Sequence, residues 1–217
     1  MRYAAMVLAM LSATFWCGSV GRSDEAATSP FFDGKDLKGW EGISQYWSVR
    51  DGAIVGSTFP SGVRFNTFLC SKKQYTDFEL HFKVRLRGKG WTGNSGVQIR
   101  SKIRDSQQDR EHFAVEGPQC DMGDVYWGSL YGEHFLGGRM MKAAPKATVN
   151  KVLKKEDFND YYIKCVGKHV TIKLNGETTV DQDFSQLPDS GIIAWQLHQG
   201  PPMEVIFKDI QFKDLSK

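Results

Sequence analysis

The sequence predicts an all-β fold, an antiparallel β-sandwich or jelly roll, and three observations carry that expectation. Across Asp77 to Arg87, Phe78, Leu80, Phe82, Val84 and Leu86 alternate without a break with Glu79, His81, Lys83, Arg85 and Arg87. That is a strand with one buried and one wet face. Similar short runs recur between turn pairs such as Asp51-Gly52 and Asn175-Gly176, which are strong two-residue hairpin signals. Only residues 146–158, KATVNKVLKKEDF, could form a short helix, and no apolar stripe requires one.

In chain order, Arg2 followed by the nearly uncharged run from Tyr3 to Trp16 and the small residues Gly18, Ser19, Gly21 and Ser23 read as a secretory signal peptide over residues 1–23. The run is too short to span a bilayer, which takes about 20 apolar residues. Cys17 raises lipid anchoring as the alternative, against which stand the bulky Phe15 and Trp16. The expected product is therefore exported, periplasmic or extracellular, with no transmembrane segment in the mature chain. Residues 24–30 are small and polar and read as a flexible leader, and residues 31–217 as one domain.

Within that domain, YWSVRDGAIVGS reads as a hairpin, NTFLCS as a short strand and NSGVQIRS as a strand with Val97 and Ile99 on one face and Gly96, Gln98 and Arg100 on the other. Gly117-Pro118 is expected to act as a bulge that resets the facing of Gln119 and Asp121. Tyr161, Ile163 and Cys165 alternate with Tyr162 and Lys164, and Val170, Ile172 and Leu174 with Thr171 and Lys173. SGIIAWQLH sets Ile193, Trp195 and Leu197 opposite Ala194, Gln196 and His198, and MEVIFKDIQFKDL is a last strand with a bulge near Asp209.

Charge narrows the partners. Without residues 1–23 the chain carries 26 basic and 25 acidic residues, so no long-range field favours nucleic acid or an anionic membrane. Cys70, Cys120 and Cys165 permit at most one intramolecular bridge, no pair has zinc-ligand spacing, and Cys165 reads as a buried small hydrophobe. No dinucleotide fingerprint is present, so the chain is expected to carry no redox cofactor of its own.

The segments FFDGKDLKGW, WSVRDGAIVG, YTDFELHFKVR, NSGVQIRS, GSLYGEH, FNDYYIKCVGKHVTIKLNG, GIIAWQLH and VIFKDIQF follow one another in an order that resembles the 3-keto-disaccharide hydrolase domain family, also known as domain of unknown function 1080. The resemblance spans Phe31 to Phe212. It implies a jelly roll similar to concanavalin-like lectins and glucanases, exported, and cleavage of glycosidic bonds in sugars already oxidised at C3 by a separate oxidoreductase. Where many relatives carry Glu and Gln after a Gly and an aromatic residue, Gln119 and Asp121 stand here, and Phe158 replaces a Trp.

Such a reaction begins with removal of the proton at C2, which a C3 ketone acidifies, and needs a base, a donor for the enolate oxygen and an acid for the leaving group. Ordinary glycosidases need two carboxylates at a set separation, and this chain has no run of strand carboxylates to supply them. Strand alternation puts Gln98, Arg100, Gln196 and His198 on one open face with Gln119 and Asp121. Asp121 and His198 are the expected base or acid, with Glu133 and His134 as alternates. Arg100 is the expected enolate or hydroxyl clamp, Gln98, Gln119 and Gln196 the expected contacts for sugar hydroxyls, and Trp127 or Tyr131 the stacking surface. Glu116 could be a site carboxylate or a surface charge, Arg100 an ion-pair member and Trp127 core. A divalent cation is a candidate cofactor, with no spacing that assigns its ligands. The alternative function is a non-catalytic carbohydrate-binding module using the same concave face.

Overall fold

The computed structural model describes residues 31–216 together with Met1. The expectations for a signal peptide, a lipid anchor at Cys17 and a leader fall on residues 2–30, outside the described residues.

The elements run β1 (Trp40–Glu41), β2 (Trp47–Arg50), β3 (Ala53–Ser57), β4 (Thr67–Tyr75), β5 (Phe78–Gly88), β6 (Asn94–Ile103), α1 (Gln107–His112), β7 (Val115–Gly123), β8 (Leu130–Glu133), β9 (Met140–Lys142), α2 (Lys146–Val152), β10 (Asn159–Val166), β11 (His169–Leu174), β12 (Glu177–Asp183), β13 (Gly191–Leu197) and β14 (Met203–Asp214). They build two seven-stranded antiparallel sheets, a front sheet ordered β1-β4-β13-β6-β7-β8-β9 and a back sheet ordered β12-β11-β10-β5-β14-β3-β2. The fold is the expected all-β sandwich.

Turn chemistry sets the hairpins. Asp51 and Gly52 take φ 50° and 73°, and Asn175 and Gly176 take φ 49° and 87°. Both pairs thus adopt the left-handed geometry that matches the twist of the flanking strands. The bulge expected near Asp209 is present: its φ is 54° and the pairing of β14 with β5 shifts between Lys208 and Gln211.

Each sheet turns one side chain in two inward. Phe78, Leu80, Phe82 and Val84 of β5 and Tyr161, Ile163 and Cys165 of β10 meet Val97 and Ile99 of β6, Cys120 and Met122 of β7 and Ile193, Trp195 and Leu197 of β13 in one core. Trp195 anchors it, 5.2 Å from Phe82 and 4.4 Å from Phe207 between ring centroids. Truncating a buried aromatic of this kind costs about 3–5 kcal/mol. Cys70, Cys120 and Cys165 are all free and buried.

Helix α2 lies where the short helix was expected. Helix α1 was not expected, although its start is written in Ser106-Gln107-Gln108-Asp109. Ser106 Oγ accepts from the Asp109 backbone N–H at 3.1 Å, an N-cap, and donates to Asp109 Oδ2 at 2.7 Å. No helix among the described residues is long and apolar enough to cross a membrane.

Candidate active site

The outward face of the front sheet carries the polar side chains that the core excludes. Gln196 on β13, Gly96 and Gln98 on β6, and Gln119 and Asp121 on β7 are brought together by register, with Gly96 opposite Asp121 and Gln98 opposite Gln119. Gly96 leaves room for this arrangement. A Cβ there would stand 2.6 Å from Gln119 Cγ and Cδ, so the Gln119 side chain lies across the glycine. From that position Gln119 Nε2 donates to Asp121 Oδ1 at 2.6 Å and to Gln196 Oε1 at 3.2 Å, while Gln119 Oε1 accepts from Gln98 Nε2 at 2.8 Å. Ser101 Oγ completes the row by donating to Gln98 Oε1 at 2.7 Å.

Above this floor opens a cavity of about 560 Å³. Asp121, Gln119 and Gln196 form its base, Tyr131, Glu133 and His134 one wall, and His198 and Gln199 another. Asn66, Phe65 and, from α1, His112 close a further side, with Tyr126 at the turn after β7. Phe65 and His112 stack face to face, 3.6 Å apart and within 4° of parallel.

Asp121 is the electrostatic centre. It is 5% exposed and makes no ion pair among the described residues. Burial pushes its pKa up to about 7, opposed by the Gln119 hydrogen bond and reinforced by the negative charge of Glu133. This is the displacement that suits a proton-transfer group at neutral pH. Its backbone is pinned across the sandwich, because Tyr161 on β10 donates its hydroxyl to the Asp121 carbonyl at 3.0 Å. Gln196 is fully buried, and its Nε2 has no hydrogen-bond partner among the described residues. A buried N–H without a partner costs about 1–3 kcal/mol. The imidazole of His198 contacts the Gln199 carbonyl through Nδ1 at 2.6 Å. Glu133 Oε1 accepts from Asn66 Nδ2 at 2.8 Å.

Three expected contacts are corrected. Arg100 does not reach the cavity. Between Gln98–Gln119 and Lys102–Glu116 the partners advance four residues on β6 but three on β7, so the extra residue sits on β6 rather than at Gly117-Pro118. Arg100 occupies that bulge at φ 45° and is turned away from the floor, 2% exposed. Its guanidinium donates to the carbonyls of Thr76, Gly167 and Pro188 and to Asp77 Oδ1. It ties the strand ends of the sandwich together. Trp127 is a core residue that lines a separate cavity of about 690 Å³ with Trp91, Leu86 and Val149. Gln98 is fully buried beneath Gln119 and supports it instead of meeting a ligand. Glu116 pairs with Lys102 at 3.2 Å on the surface.

Sequence reasoning missed Asn66, Phe65, His112 and Tyr126 as cavity residues. Asn66 and Phe65 lie on a loop before β4 that carries no periodic signal. Among the described residues no group of three or more His, Cys, Asp or Glu is gathered to hold a metal ion.

The fold is shared with known structures. The chain is similar to a candidate glycosyl hydrolase from Parabacteroides distasonis (21% identity over 85% of this chain and 92% of that one, TM-score 0.60). It is also similar to the carbohydrate-binding module CBM66 from Bacillus subtilis (11% identity, 81% and 95% covered, TM-score 0.59). The legume lectin-like domain from Entamoeba histolytica is a further match (12% identity, 83% and 92% covered, TM-score 0.56). At such identities these likenesses show the fold alone. No curated protein sequence matches the chain. In sequence, the family profile of the 3-keto-alpha-glucoside-1,2-lyase-like domain matches residues 27–213.

Proposed function

The chain belongs to the 3-keto-alpha-glucoside-1,2-lyase-like domain family, and from that premise we propose that it cleaves the glycosidic bond of a 3-keto-glycoside by elimination followed by hydration. Asp121 takes the proton from C2. Its buried carboxylate is a stronger base than an exposed one, and Gln119 fixes Oδ1 in place. The electron pair moves toward the C3 ketone, whose oxygen gains charge and accepts from Gln196 Nε2. The expected clamp, Arg100, is engaged elsewhere, and the donor assigned to this oxygen is the Gln196 amide at the cavity floor.

The C1–O bond then breaks. His198, protonated on both nitrogens, gives its Nε2 proton to the leaving oxygen, which leaves a C1=C2 enol and a neutral ring that keeps its proton on Nδ1 against the Gln199 carbonyl. In the second half the bare Nε2 takes a proton from water adding to C1, and Asp121 returns its proton to C2. The net change is hydrolysis, and His198 and Asp121 end as they began. Glu133 faces the same cavity, keeps the proton affinity of Asp121 high and offers an acceptor to a sugar hydroxyl. The steps draw on no redox cofactor, and a separate sugar oxidoreductase supplies the substrate.

One observation supports this reading above the others: at the cavity floor, the buried Asp121 carboxylate has no paired cation and the Gln196 amide no acceptor among the described residues. The test is to incubate the protein with a 3-keto-glucoside and with the unoxidised glucoside, with and without a chelator. Release of aglycone from the first alone is expected. Equal release from both, or binding of both without turnover, overturns the proposal. The latter outcome would favour the second reading, a carbohydrate-binding module, for which the amides of Gln119 and Gln196 already offer contacts to sugar hydroxyls.

A further inference from the structure

We infer that Asn66 is a positioning residue of this site, tying Glu133 to the backbone that decides which nitrogen of His198 carries the proton. Asn66 Nδ2 donates to Glu133 Oε1 at 2.8 Å, and Asn66 Oδ1 accepts from the Gln199 backbone N–H at 2.9 Å. Gln199 in turn offers its carbonyl to His198 Nδ1 at 2.6 Å. A carbonyl only accepts, so the Nδ1 of His198 holds a proton in both charge states of the ring, and Nε2 is the nitrogen that gains and loses one. The orientation of the Asn66 amide follows from the same logic. Turned over, it would set a donor against the Gln199 N–H and an acceptor against the carboxylate.

The loop carrying Asn66 is itself fixed. Thr58 N–H bonds to the Met203 carbonyl at 2.9 Å, Val63 and Gly200 exchange backbone bonds of 3.1 and 2.7 Å, and Phe65 stacks on His112. The Gly200 N–H belongs to the same peptide as the Gln199 carbonyl, so Val63 holds the peptide after residue 199 while Asn66 holds the one before it. Together they set the carbonyl's direction. Glu133 on β8 and His198 just past β13 stand on strands that do not pair with each other, and Asn66 spans the gap between them.

This inference rests on the proposed roles of His198 and Glu133, but its principal test does not need turnover. In the full chain labelled with ¹⁵N-histidine, the His198 ring is assigned by comparison with His198→Gln, and its tautomer is read by long-range ¹H–¹⁵N NMR above the ring's titration. The neutral wild-type ring is expected as the Nδ1–H form. In Asn66→Ala a mixture containing the Nε2–H form is expected, with kcat/KM on a 3-keto-glucoside about 10-fold or more lower, as misplacement of reacting groups produces. Asn66→Asp keeps the acceptor for Gln199 and sets a second carboxylate against Glu133. It should therefore retain the Nδ1–H form, lose activity, and remain informative if the alanine variant does not fold. An Nε2–H ring in the wild type, or an Asn66→Ala ring indistinguishable from wild type, overturns the inference. A wild-type protein that shows the expected tautomers but cleaves no 3-keto-glycoside overturns the proposed reaction alone.

Discussion

Asp121 sets function against stability. Its carboxyl is raised from the ordinary 3.8 to about 7, so the folded chain binds that proton more tightly than the unfolded chain. The resulting stability is fully present below about pH 4 and is lost as pH rises through about 7. The full displacement corresponds to roughly 4 kcal/mol at high pH. Asp121→Asn, which keeps an acceptor for Gln119, should therefore raise the melting temperature at pH 8 and leave it nearly unchanged at pH 4, as calorimetry at the two values would show. The same variant should lower kcat by about 10²–10⁴. A variant that is no more stable at pH 8 would mean that the buried charge is compensated by another group. That Asp121 lines the cavity with Gln119 and Gln196 agrees with the facing expected from sequence, although the bulge invoked for it lies on β6 and not at Gly117-Pro118. The fate of Arg100 was not legible, because an alternating pattern assumes that every residue takes extended geometry, and one residue at φ 45° redirects its side chain.

At the scale of elements, the bulge in β6 separates structure from chemistry within ten residues. Gly96 and Gln98 serve the cavity floor, whereas Arg100 binds three carbonyls and Asp77 where strand ends meet. Replacing Arg100 by Ala leaves those part-buried acceptors without their donor and should destabilise by about 3 kcal/mol. KM of the protein that remains folded should stay near the wild-type value. A large rise in KM with unchanged stability in a denaturant titration would restore Arg100 to the site. Gly96→Ala should behave in the opposite way. Its Cβ meets the flexible Gln119 side chain, so the fold can yield locally and the melting temperature should move by no more than a few degrees. Gln119 must then release Asp121 and Gln196, and kcat/KM should fall at least about 10-fold. The shared face of Gln98 and Gln119 was expected from sequence, whereas the β6–β7 register that sets this contact comes from the structure. The contact itself depends on which side chain lies over the glycine, and sequence does not encode that.

For the whole molecule, the sandwich supplies a back sheet and core behind a front sheet whose outer face carries the cavity. The Tyr161 hydroxyl donates to the Asp121 carbonyl and so ties the back sheet to β7. The proposed route through a C1=C2 enol also has an isotopic signature. A substrate deuterated at C2 should be cleaved more slowly than the protonated substrate, read as the ratio of their kcat/KM values. Direct displacement at C1 leaves the C2 bond intact and would give equal values.

The sequence by itself determined the class of fold, the hairpins, the facing of Gln119, Asp121, Gln196 and His198, and the family. Each of these follows from short-range rules: two-residue periodicity, left-handed turn pairs and ordered motifs. Tertiary structure alone decided that Arg100 holds strand ends together, that Trp127 belongs to the core, that Gln98 supports Gln119, and that Asn66 bridges Glu133 and the Gln199 backbone. Those outcomes depend on one extra residue in β6 and on a loop brought beside β8 and β13 by long-range pairing. Local periodicity carries no information about contacts between residues so distant in the chain.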